Sequence, residues 1–266
     1  MEDLSVVSAE ESSTYGESKM AKRFEGRVVA ITGGSDGIGL ATARQFAREG
    51  ARVYLMGRRA DRLDQAVREI GPAAVGMQGD VAKLADLERL YGRIRADHGR
   101  LDVVFANAGI SESAVLDAVD EAHFDRLFAT NVKGLFFTVQ KALPLMARGG
   151  AVVLTGSAAG SKGLPALSVY SATKGAIRSL ARTWTTDLKD RGIRVNVVSP
   201  GMALTPALQA YLQANPGSED ALKQMIPFGR IGEPDEVAAA VLFLASPASS
   251  FVAGTELFVD GGVMAV

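Results

Sequence analysis

Residues 27–49 read RVVAITGGSDGIGLATARQFARE, and the order of residue types in this stretch decides the fold. Arg27–Thr32 is a short β-branched run. It passes without a spacer into Gly33, Gly34, Ser35, Asp36, Gly37, Ile38 and Gly39, and a helical apolar pattern follows over Ile38–Glu49. Strand, glycine loop and helix in that order form a phosphate-binding turn. Gly33 permits a tight turn, Gly37 lets backbone approach an anion, and Gly39 lets the helix lie close to the sheet. The free amides and the dipole at the helix start supply the attraction.

Outward from that turn, the pattern repeats. Candidate strands are Arg52–Met56, Ala74–Gln78, Asp102–Ala106, Ala151–Thr155, Arg194–Val198 and Glu256–Val259. Between them lie helical stretches at Asp61–Ile70, Leu84–Asp97, Glu121–Ala147, Ser168–Arg191 and Pro234–Ala245. Alternation at these lengths implies βαβ units, which require a parallel sheet covered on both faces. The prediction is a single doubly wound α/β domain of Rossmann type, with a seven-stranded parallel sheet, spanning residues 21–266. Residues 1–20, acidic and serine-rich, are read as a disordered tail. Residues 201–232 carry no strand pattern and read as a substrate flap.

Composition narrows the function. The 266 residues are 47% hydrophobic and 22% charged, with a net charge of −1. That balance gives no electrostatic reason to expect nucleic acid or an anionic membrane as a partner. No cysteine is present, which removes disulfides, thiolate metal sites and thiol nucleophiles. No apolar run approaches the ~20 residues that span a bilayer, and the N-terminus lacks the pattern of a signal peptide. The expectation is a cytoplasmic protein without a metal site, whose two histidines, His98 and His123, are solvated.

The spacing TGGSDGIG resembles the TGxxxGIG signature of the short-chain dehydrogenase/reductase family. The likeness continues through Asn107-Ala108-Gly109, Asn131, Ser157, Tyr170-x3-Lys174 and Pro200-Gly201, and covers the chain after Met20. The resemblance implies a nicotinamide dinucleotide held by Gly33, Ser35, Asp36, Gly37, Ile38, Gly39, Asn107, Gly109, Pro200 and Gly201. It also implies that Asp80 and the Val81 amide meet the adenine, and that Thr205 contacts the cofactor. In NAD-binding relatives an acidic residue stands where this chain has Gly57. Here Arg58 and Arg59 follow instead, and guanidinium suits a 2′-phosphate, so NADP(H) is expected. Asp36 argues the other way, because it would place a negative charge near that phosphate.

Tyr170 and Lys174 are four apart and share one helix face. A phenol titrates near pH ~10 and is a poor base at neutrality. A cation ~4 Å away, at an effective dielectric of ~20, contributes roughly 4 kcal/mol toward the phenolate, or about three pH units. Tyr170 is therefore the expected acid/base. Ser157, after the fifth strand, would polarise the substrate oxygen. The resemblance further implies that Lys174 bonds the nicotinamide ribose and that the Asn131 carbonyl holds a relay water.

Ser111, Glu112, Ala159, Met202, Leu204, Leu208 and Tyr211 are the expected pocket residues, mainly apolar and suited to ketones or secondary alcohols. The SLARTWTTDLK helix and the VAGTELFVDGG end look like those of bacterial NADPH-dependent secondary-alcohol dehydrogenases. A 3-oxoacyl-carrier-protein reductase remains the rival enzyme reading, and a non-catalytic NADP(H) sensor or a structural subunit with a vestigial site the non-enzymatic ones. Two long apolar helices, Phe124–Leu145 and Val169–Leu188, and the last strand imply a homotetramer by the same resemblance.

Overall fold

The computed structural model describes residues 22–266, so the tail expected over 1–20 lies outside the described residues. The strands are β1 (Val28–Thr32), β2 (Arg52–Gly57), β3 (Ala74–Gln78), β4 (Leu101–Ala106), β5 (Met146–Thr155), β6 (Arg194–Pro200) and β7 (Glu256–Val259). They form one all-parallel sheet in the order β3-β2-β1-β4-β5-β6-β7. The order reverses between β1 and β4. Chains leaving these neighbours turn to opposite faces there, and a crevice opens beyond their C-terminal ends.

The strands read as continuous apolar runs because both faces are buried. Along β1, Val28 and Ala30 enter one core, while Val29 and Ile31 enter the other. The first core is closed by α3 (Leu84–His98), α5 (Leu135–Ala142) and α6 (Ser168–Asp187), through Leu87, Leu90, Ile94, Val139 and Ile177. The second is closed by α1 (Gly37–Arg48), α2 (Ala60–Ile70) and α9 (Pro234–Ala245), through Phe46, Leu63, Val237 and Val241. The remaining helices are α4 (Glu121–Phe128), α7 (Pro206–Ala214) and α8 (Ser218–Gln224). Among the described residues, no helix is long and apolar enough to cross a membrane.

Two expectations need correction. The single helix over Glu121–Ala147 is divided: α4 ends at Phe128, a π-helical turn occupies Ala129–Gly134, and α5 ends at Ala142. Pro144 then sits in a 3₁₀ turn over Leu143–Leu145, since proline cannot continue the helical ladder. The fifth strand consequently starts at Met146, where Met146 pairs with Leu101 across a register shift. Residues 201–232, expected to carry no strand pattern, hold α7 and α8. The ends of this segment are joined by a bridge between Ala203 and Gly232.

Candidate active site

The crevice is built on glycines that leave no room for side chains. Gly33 has φ 65° and Gly37 φ 48°, a region L residues rarely adopt. A Cβ on Gly39 would collide with the Gly33 carbonyl, and one on Gly33 would come within 2.9 Å of the Asn107 amide nitrogen. That amide donates to the Thr32 and Gly33 carbonyls (both 3.2 Å), while its oxygen accepts from the Thr155 hydroxyl (3.2 Å). Asn107 thus ties the ends of β1, β4 and β5. Thr32 Oγ1 adds acceptance of the Asn107 and Ala108 amides.

A cavity of about 690 Å³ follows this rim. Of the residues expected to hold a dinucleotide, it brings together Gly33, Ser35, Asp36, Gly37, Ile38, Arg58, Arg59, Asp80, Val81, Asn107, Gly109 and Thr205. Gly39 packs beneath the loop. Pro200, Gly201, Tyr170 and Lys174 do not line the cavity. Pro200 ends β6 opposite Val259, and a Cβ on Gly201 would meet Asp260 at 2.7 Å. Thr205 caps α7, its hydroxyl accepting from the Leu208 amide, and its methyl would lie 3.2 Å from a Cβ on Gly37. The start of α7 therefore lies over the glycine loop. The resulting cradle, with glycine wherever a Cβ would intrude, fits a pyrophosphate-bridged dinucleotide.

Charge at the end of β2 differs from the simplest expectation. Asp36 caps α1 by accepting from the Gly37 amide (2.9 Å), and it pairs with Arg59 (2.7 Å). Arg59 is therefore engaged, whereas the side chains of Arg58 and Arg62 have no hydrogen-bond or ion-pair partner among the described residues and both line the cavity. Arg62 was not anticipated, although its position four after Arg58, at a helix start, was a usable signal. Ser35 fills the space over Gly57, its hydroxyl 2.7 Å from where a Cβ would sit. A carboxylate side chain at position 57 would not fit without displacing it.

Of the four residues expected for chemistry, Asn131 and Lys174 meet beside Gly109, and Tyr170 and Ser157 join them through Lys174. A Cβ on Gly109 would lie 3.3 Å from Asn131 Oδ1 and 3.7 Å from Lys174 Nζ. The Asn131 side chain is buried and fully used, bonding the Ile110 amide and carbonyl (2.8 and 2.9 Å) and Thr173 Oγ1 (3.2 Å). Lys174 is 4% exposed and donates to the Thr155 carbonyl (2.8 Å). Burial pulls its ammonium down to about 8. Lys174 Nζ stands 5.6 Å from the centroid of the Tyr170 ring.

This corrects the expected electrostatics. Burial pushes the Tyr170 phenol above its usual range, and a hydrogen bond with Ser157 draws it part of the way back. Lys174 shares the helix face but spends its bond on Thr155 rather than on the phenol oxygen. Desolvation, which disfavours the phenolate, outweighs the attraction of an ammonium at that distance.

The expected substrate wall is only partly assembled. Ala159 is buried beside Ser157. Met202 lines a different, shallow depression with Phe228 and Arg230. No residue of α7 is buried, and Tyr211 is half exposed. Leu204 and Leu208 are partly buried on the flap, and Ser111 is exposed. Glu112, instead of presenting a free charge, is bonded by Arg126 (3.0 Å) and lies 3.5 Å from His123 Nδ1. The Arg126 bond holds its carboxyl below the usual range. His123 is therefore buried and partnered, not solvated; His98 is exposed and meets Tyr54 edge-on.

Comparison with known proteins agrees with this geometry. A family model described as Enoyl-(Acyl carrier protein) reductase matches residues 33–264. Oxidoreductase asL5 of Sarocladium schorii is 46% identical over 247 residues, 91% of this chain and 97% of that one. The cis-4-hydroxycyclohexanecarboxylate dehydrogenase of Sinomonas cyclohexanicum is 40% identical, covering 93% of this chain and 100% of that one. A solved short-chain dehydrogenase/reductase family protein superposes with a TM-score of 0.81 at 41% identity, over 92% of this chain and 100% of the other. This chain belongs to the short-chain dehydrogenase/reductase family. It is an oxidoreductase, of a family that uses nicotinamide cofactors.

The buried ammonium makes a prediction about stability. Lys174 has a folded value of about 8 against an ordinary 10.5, so the unfolded chain binds more protons between those values and stability gains from deprotonation as pH rises. Below about pH 8 the penalty is fully present, at up to about 3 kcal/mol. Urea unfolding of Lys174→Met and the parent is expected to show the variant gaining relative to the parent at pH 7 compared with pH 10. A difference independent of pH over that range contradicts the buried charge.

Proposed function

We propose that this chain is an NADP(H)-dependent reductase of ketones, or dehydrogenase of secondary alcohols, with Tyr170 as the acid/base. The convergence of Lys174, Asn131 and the Ser157–Tyr170 pair beside Gly109, at the rim of the crevice, carries the reading. When bound, the nicotinamide ring supplies or accepts the hydride.

The protein's own groups handle binding and the proton. The glycine loop and the start of α1 would receive the pyrophosphate, Asp80 and Val81 the adenine, and Arg58 and Arg62 the 2′-phosphate. Pairing with Arg59 offsets the Asp36 charge that would otherwise oppose it. Ser157 would donate to the substrate oxygen and Tyr170 Oη would pass its proton to the same atom. A phenol held above its ordinary range carries its proton at neutral pH, the form that a carbonyl reduction calls on. Lys174, near 8, can take up and release a proton at Nζ behind it. The small residues Ala158 and Ala159, buried beside Ser157, favour an apolar substrate. Likeness to a dehydrogenase named for a cyclic secondary alcohol that also bears a carboxylate supports the secondary-alcohol class.

Self-association belongs to the same reading. Phe124 on α4 is 44% exposed and stacks on Phe128 at 4.4 Å, an apolar surface suited to a symmetric contact. Sedimentation is expected to give a tetramer, and a stable monomer refutes it. Tyr170→Phe should lower turnover roughly 10²–10⁴-fold while NADPH binding, followed by fluorescence, stays unchanged; substantial residual turnover removes Tyr170 from the chemistry. Arg58→Ala should lower kcat/KM with NADPH by about tenfold or more and leave NADH nearly unaffected. Equal or better efficiency of the parent with NADH overturns the cofactor assignment.

A further inference from the structure

A second cavity, of about 480 Å³, opens at the opposite, N-terminal edge of the sheet. We propose that it is a binding site for an amphipathic organic anion, with a carboxylate or phosphate head on a short apolar body. Phe24, Val103, Ile193 and Ala253 supply apolar wall, and Arg23, Arg27, Lys189 and Arg194 supply cations. Its volume lies within the range of small-molecule sites.

Among the described residues the charges of this wall do not balance. Asp102 is the acidic residue of the wall, and it is already shared. It accepts from Arg27 (2.8 Å) and the Val28 amide (2.8 Å), and Arg100 stands 3.6 Å away. Arg23 is paired with Glu49 (2.8 Å). Two cations are left over. Lys189 has no side-chain hydrogen bond or ion pair among the described residues. Arg194 is half buried, and its guanidinium meets only neutral oxygens: the Leu244 and Ser246 carbonyls and the Ser249 hydroxyl. Those three bonds leave two of its five N–H donors without an acceptor. A guanidinium drawn out of water is ordinarily matched by an anion, and this half-buried one borders a cavity. Burial also draws its pKa down, consistent with a charge held without a counterion.

Nothing in the proposed reductase chemistry uses this edge of the sheet, so a ligand here acts independently of the crevice. Octanoate is a suitable probe, with octanol as its uncharged counterpart, in calorimetric titrations of the full-length protein. Octanoate is expected to bind saturably at one site per chain and octanol at least tenfold more weakly, as the loss of charge-assisted bonds requires. Lys189→Met and Arg194→Met should each weaken octanoate by about tenfold. Arg194→Met also cuts ties to α9 and the following turn, so the exposed Lys189→Met decides the matter if Arg194→Met fails to fold. Arg58→Ala should leave octanoate binding unchanged. No saturable binding, equal binding of octanol, or loss in Arg58→Ala with retention in Lys189→Met overturns the proposal.

Discussion

One side-chain amide holds the functional end of this molecule in register. Asn107 satisfies both its donors on the backbone of β1 and the glycine loop, and its acceptor on β5. Such a bond set forms only if the three strand ends approach closely, and that approach is possible only because Gly33 and Gly39 lack side chains. The same closeness creates the crevice. With β1 and β4 adjacent but their following helices on opposite faces, backbone amides are left pointing into open space, where an anion can replace the water they lose. Cofactor cradle and strand order are therefore one constraint seen at two scales.

The two ends of the crevice use charge in opposite ways. At the β2 end, guanidiniums are exposed, so their attraction is screened and acts mainly on a ligand that brings several negative oxygens at once. Near Gly109 the ammonium and phenol are buried, and desolvation dominates both: each is driven toward its neutral form. Helical spacing alone suggests a charged pair, whereas burial works against the charge on both groups.

The sheet was legible because parallel strands buried on both faces leave unbroken apolar runs, and the glycine loop because its spacing is dictated by backbone contact. Family likeness likewise singled out Asn107 and Asn131, but for Asn131 it pointed to the backbone carbonyl and not to the side-chain bonds with the Ile110 loop. Side-chain partnerships across the fold were not. Nothing local to His123 shows that it would be buried next to Glu112, and nothing local to Arg59 shows that Asp36 would engage it. The helix over residues 121–147 was misread for a related reason. Its apolar pattern persists through Pro144, and only tertiary pairing of Met146 with Leu101 turns the chain into strand.

The π-helical turn at Ala129–Gly134 has a consequence for how this segment tolerates change in length. One additional residue in a turn advances the following helix by about 100°. That rotation lets Asn131 reach the Ile110 loop while Leu135, Val139 and Ala142 still face the sheet. Loss of a single residue here would rewind the turn to an ordinary helix and swing one of those two faces into solvent. Length at this point is thus as constrained as residue identity, although the segment is helical throughout and ends in no loop that could absorb a deletion.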